Sequence, residues 1–224
     1  MKNNSNKWLL AATLLSLGGI AQAQSAGTWM VRAGAVTVAP QVTSGDLSAP
    51  SFAGTKSDVE ADTQLGGGIS YMYTDNISVD LPLALPFKHK INGAGAIAGV
   101  GKIGSVEVLP MTVLVQYRFL EASAKFRPYV GLGATYVYFF NPEGSAALTA
   151  LTGGTPANPT KLEVDSKFIL TPQIGATLAI GDKWFVDVFY SKSKLSTKTT
   201  LSTGQTQDIA LDPKSYGIAV GYKF

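Results

Sequence analysis

The last ten residues of the chain alternate without a break. Tyr216, Ile218, Val220, Tyr222 and Phe224 hold the even positions, and Ser215, Gly217, Ala219, Gly221 and Lys223 the odd ones. A period of two, bulky on one face and small or polar on the other, belongs to a β-strand between two different media. Residues 128–140 repeat it, with Val130, Leu132, Ala134, Tyr136, Tyr138 and Phe140 on one side and Gly131, Gly133 and Thr135 on the other. In a water-soluble barrel the bulky face fills the interior. Here that face would overfill a narrow lumen, so it is expected to point outward, into lipid.

Eight strand-like runs rich in Val, Ile, Tyr, Phe and Thr cover about 29–38, 63–74, 77–86, 105–119, 128–140, 167–180, 184–195 and 208–224. The connections alternate in length. Thr74-Asp75-Asn76, residues 120–125 and Gly181-Asp182-Lys183 are short. Residues 39–62, 87–104, 141–166 and 196–207 are long and polar. This rhythm predicts an all-β fold: an eight-stranded antiparallel up-and-down transmembrane barrel with short periplasmic turns and long extracellular loops. Such a sheet must close, because hydrocarbon leaves no partner for an unpaired N–H or C=O. Trp29, Tyr73, Tyr117, Trp184 and Tyr222, near strand ends, suit an interfacial aromatic girdle. Residues 144–151, alanine- and leucine-rich, read as one or two helical turns inside the third long loop.

Residues 1–23 read as a secretory signal peptide. Lys2 and Lys7 precede the apolar stretch 8–20, and Ala21-Gln22-Ala23 supplies a small-x-small cleavage site. The expected mature chain, 24–224, holds 16 basic and 15 acidic residues, scattered rather than clustered, so no nucleic-acid surface is expected. With no cysteine and one histidine, thiolate metal sites and most catalytic triads are excluded. No cofactor, metal or catalytic residue is expected. His89, opening a long loop, reads as exposed. Asp58, Glu60 and Asp62 recur at every second residue, as a calcium site would allow, but fit a solvated strand edge better.

Several segments together resemble the outer-membrane protein W (OmpW) family over almost the whole mature chain. They are Val108-Leu109-Pro110-Met111-Thr112 with Gln116-Tyr117-Arg118-Phe119, Arg127-Pro128-Tyr129-Val130-Gly131-Leu132-Gly133, Asp182-Lys183-Trp184-Phe185, Leu211-Asp212-Pro213 and Val220-Gly221-Tyr222-Lys223-Phe224. Met111 departs from the Leu-Pro-Pro-Thr that the family often carries. The resemblance implies a location in the outer membrane of the Gram-negative envelope, and a narrow apolar channel. It also implies uptake of small hydrophobic molecules or detergent-like amphiphiles, with lateral release. The terminal Phe224 resembles the signal read by the barrel-assembly machinery. The family's alternative role is a structural or receptor barrel whose loops meet colicins or phage.

Parity along the strands sends Arg32, Asp80, Arg118, Asp187 and Lys223 into the lumen near its periplasmic end. They should form a paired network, since unpaired buried charge is costly. Such a floor would turn an apolar solute sideways. Met72, Leu114, Val137, Phe139, Ile169 and Phe189 point inward higher up, either lining an apolar pocket near the mouth or filling the core. Pro82 and Pro110 also point inward and Pro172 is expected to interrupt the sixth strand; each removes a ladder hydrogen bond, and such breaks either open the wall laterally or only shape the barrel.

Overall fold

The computed structural model describes residues 24–224; the leader expected over 1–23 lies outside the described residues. Its strands are β1 (Trp29–Ala39), β2 (Thr43–Ser44), β3 (Thr55–Val59), β4 (Asp62–Met72), β5 (Ile77–Ala84), β6 (Phe87–Gly95), β7 (Lys102–Arg118), β8 (Phe126–Gly144), β9 (Leu162–Val164), β10 (Lys167–Ala179), β11 (Trp184–Lys192), β12 (Ser196–Leu201), β13 (Thr206–Ala210) and β14 (Lys214–Lys223). A short helix, α1 (Ala146–Leu151), sits where the alanine- and leucine-rich stretch predicts it, with Ser145 Oγ accepting from the Leu148 N–H at its start.

The ring runs β1–β4–β5–β7–β8–β10–β11–β14, every neighbour antiparallel, and closes where β14 pairs with β1. This is the eight-stranded barrel that the alternation predicts. β3 and β6 prolong β4 and β5 beyond the ring, and β7 and β8 rise with them. Residues 87–95 and 102–104, expected in a loop, are therefore wall. β2, β13, β12 and β9 form a separate four-stranded sheet.

The pleat sorts side chains as expected. Tyr216, Ile218, Val220 and Phe224 are exposed, as are Val113, Val115, Leu132, Leu170 and Ile174 on other strands. They make a continuous apolar belt around the outside. Trp29, Tyr73, Tyr117 and Trp184 ring its lower edge, and Trp184 meets Tyr222 edge-on at 5.0 Å. The inner face is not uniformly small. Phe185 lies over Gly221 and Tyr129 over Gly175, so a Cβ at either glycine would fall within 2.4 Å of a ring atom. Glycine on one strand is what admits an inward aromatic on the next.

The belt stops abruptly. On β7, Leu109 is its last outward apolar residue and Glu107 follows; Glu107 pairs with Lys88 of β6 at 3.2 Å. Above this level the wall inverts. Lys88 and Lys90 face out, while Phe87, His89 and Ile91 are buried inside. Even-numbered residues face inward on β5 and odd-numbered ones on β6, so one extra residue at Leu85-Pro86 flips the parity. Inside this upper wall lies an apolar core built from Ile91, Ile103, Val106, Val108, Val137 and Phe139, joined by Leu201 and Ile209 of the small sheet.

Candidate functional site

At the periplasmic end four strands bring ionic side chains together. Arg32 of β1 forks onto Asp80 of β5, with Nη1–Oδ1 at 2.7 Å and Nη2–Oδ2 at 2.8 Å. Its Nε lies 3.5 Å from Asp187 of β11. Ser70 Oγ donates to Asp80, and Tyr129 Oη of β8 donates to Asp187 at 3.2 Å. Arg118 of β7 is held differently. Its guanidinium sits 4.8 Å above the Tyr129 ring and donates to Ser78 Oγ, Gln116 Oε1 and Gln24 Oε1 at 3.1, 2.9 and 3.3 Å. All four charged groups are buried, so the floor is dry, and each charge meets a partner or several hydrogen bonds.

Two expected members belong elsewhere. Lys223 points inward, but among the described residues no ion pair joins it to this cluster. It lies below the floor, at the end of β14, with its N–H on the Lys183 carbonyl. Met72 points inward but is not near the mouth. It precedes a short turn and is packed with Met30 and Phe185 under the floor. Parity gives direction, not height.

Sequence reasoning missed several floor residues, among them Tyr129, Arg127 and Gln24. Arg127, fully buried, donates to the carbonyls of Gln24 and Asp75 at 2.8 and 2.6 Å. Gln24 also reaches Thr177 Oγ1 at 2.9 Å, tying the segment before β1 into the lumen. The inward parity of Arg127 and Tyr129 on β8 was the available signal.

Above the floor a cavity of about 180 Å³ runs up to the small sheet, lined by residues of all eight ring strands. Leu114, Val137, Phe139, Ile169 and Phe189 line it; Met72 does not. His89 also lines it, contrary to the expectation of an exposed loop residue. The parity flip turns it inward, where its ring stacks on Phe87 and Nδ1 lies 2.8 Å from the Glu60 carbonyl. Burial pushes the imidazole below its usual value. Glu60 accepts from Asn92 Nδ2 and Asp62 from the Lys88 N–H. Asp58 is exposed, and among the described residues no group of three or more acids and histidines is placed to hold an ion.

One wall of this cavity is incompletely paired. β5 and β7 share rungs from Ile77↔Tyr117 to Asp80↔Leu114, and pairing resumes only at Phe87↔Val108 of β6. No rung joins 81–86 to 109–113. A residue in an antiparallel ladder aims its N–H and C=O at the same neighbour. Arg118 N–H bonds Asn76 across this seam, whereas Leu85 N–H bonds Leu65 on the other side. Even-numbered residues of both strands therefore face the seam, and Pro82 and Pro110 each withhold a donor from it. Pro172 does not interrupt β10, which pairs with β8 straight through it; it faces β11, where the rungs end at Gln173↔Ser191.

The OmpW family profile matches residues 25–224. Outer membrane protein W of Vibrio cholerae is 36% identical over 208 residues, which are 90% of this chain and 91% of that protein. The crystal structure of the outer membrane protein OprG from Pseudomonas aeruginosa superposes with a TM-score of 0.81 at 29% identity, over 92% of this chain and 99% of that one. A more distant relative, the dibenzothiophene metabolism operon protein PahQ of Pseudomonas aeruginosa, is 24% identical over 174 residues, 76% of each chain. A closed barrel girdled by apolar side chains, with relatives that are outer-membrane proteins, places this chain in the bacterial outer membrane, and it belongs to the OmpW family.

Proposed function

We propose that the barrel passes small hydrophobic solutes without an energy source. They enter the apolar mouth, rest against Leu114, Val137, Phe139, Ile169 and Phe189, and leave sideways into the bilayer through the seam between β5 and β7. One observation carries this reading: the cavity is apolar above, sealed below by a dry ionic floor, and bordered by a wall segment without rungs that lies inside the lipid belt. An apolar solute would have to break buried charge pairs to go straight through. The seam asks only that unpaired strands part. The name of PahQ associates that relative with the metabolism of dibenzothiophene, an apolar compound, in keeping with such a role.

The test is uptake of an apolar tracer by cells with and without the protein. Faster uptake with it supports transport; equal uptake leaves the barrel as an anchor for its loops. Pro82→Ala together with Pro110→Ala restores two seam donors. The double variant should fold at least as well and take up tracer several-fold more slowly. Unchanged uptake would move the outlet elsewhere.

A further inference from the structure

The lower cavity has two unlike walls. On the side of β1 and β5 it is bounded by Val36, Pro82 and Ala84. From the far edge of the β5–β7 seam onward, a row of hydroxyls crosses three neighbouring strands and the end of a fourth. Thr112 Oγ1 of β7 lies 2.8 Å from Thr135 Oγ1 of β8, which lies 2.6 Å from Thr171 Oγ1 of β10. Ser193, just past β11, donates to Thr171 at 3.5 Å. All four line the cavity.

Thr112, Thr135 and Thr171 carry three protons, and the two short links between them use two. At least one donor in the row is therefore uncommitted, and every oxygen keeps acceptor capacity. Either oxygen of each short link can be the donor, and Thr112, at one end of the row, lies within the unpaired stretch of the β5–β7 seam. A wall built only to fill space would take valine at these positions, which has nearly the same volume and no hydroxyl to strip of water. The row bears no charge, so it repays an ion's lost hydration less well than a charged site would.

We infer that this row is a binding site for the neutral hydrogen-bonding end of an alkyl solute: an alcohol, aldehyde or ketone whose hydrocarbon part lies on the apolar walls. The inference rests on the uptake reading and names the solute class that the same cavity favours. The polar end is held beside the seam, so the two ends of the solute are oriented before it leaves.

The experiment uses the full barrel in lipid nanodiscs with ¹³C-labelled threonine methyls, titrated with 1-decanol and with n-decane. Affinities are referred to the amount of each solute in the membrane. The wild-type protein should bind decanol about three- to tenfold more tightly than decane, the worth of one net hydrogen bond. Decanol should also shift the Thr135 and Thr171 methyl signals. Thr135→Val with Thr171→Val should bring the two affinities within about twofold while decane binding persists. Thr171→Ser, which keeps the hydroxyl, should retain the preference. A wild-type ratio near one, or a preference that survives the valine pair, overturns the inference and leaves uptake standing. Binding of neither solute overturns both.

Discussion

The lower and upper parts of the barrel wall share strands but not polarity. On β5, Val79, Leu81 and Leu83 face out while Ser78 and Asp80 are buried. On β6, which continues it, Lys88 and Lys90 face out while Phe87 and Ile91 are buried. The lumen changes in step, from an ionic floor to an apolar mouth. Backbone geometry is the same in both parts, so the surroundings of the wall decide which face is apolar. The change of medium coincides with the parity flip at Leu85-Pro86 and with the seam that lacks rungs. The place where the wall switches rules is the place where its ladder is interrupted.

The sharpest way to break this comparison is at the floor. Asp80→Ala leaves buried Arg32 with only its longer ionic contact to Asp187, and should cost about 3 kcal/mol, read by urea unfolding of the detergent-solubilised barrel. A loss near zero would mean that water reaches the floor. In the mouth, Phe139→Ala should cost about 3 kcal/mol by lost packing, with no change in the Tyr129–Asp187 contact, which tyrosine hydroxyl NMR can follow.

His89 tests the upper wall by pH. Its folded value lies below the ordinary 6.5 because the ring is buried, so the unfolded chain takes up the proton first. The stability it supports is present above about pH 6.5 and is lost as pH falls through the folded value. Unfolding midpoints measured from pH 8 to 5 should fall, and His89→Gln should flatten that part of the slope. The smallest effect belongs to the rim. Lys194, mostly exposed, meets Asp212 at 2.5 Å; Lys194→Ala should cost under about 1 kcal/mol and less in high salt. That hydrogen bond, with a second from the Leu195 N–H, holds the Asp212 carboxyl below its ordinary range. This small contribution should therefore fade as pH drops through the folded value, below 3.8.

What the sequence disclosed, it disclosed through alternation. Strict period two over 128–140 and 215–224 identifies the lipid face, and the same parity carried to the other strands turns Arg32, Asp80, Arg118 and Asp187 inward. Three things escaped it. A bulge resets parity, and Leu85-Pro86 hid the inward turn of His89. Height is invisible to parity, which is why Met72 was expected near the mouth and Lys223 within the network. Polar outward residues such as Lys88 and Lys90 mimic a loop, though they are the wetted face of a strand. The hydroxyl row was within reach, since Thr112, Thr135 and Thr171 all carry inward parity, but only the register between strands sets them level.

The partners in the floor come from strands far apart in the chain: Arg32 from the first, Asp80 from the third, Tyr129 from the fifth and Asp187 from the seventh of the ring. A sheet holding only the first three ring strands already lets Arg32 fork onto Asp80. The contacts of Asp187 with Arg32 and Tyr129 need the seventh strand in place. The charge cluster thus gathers partners strand by strand and holds its full set only in the complete ring.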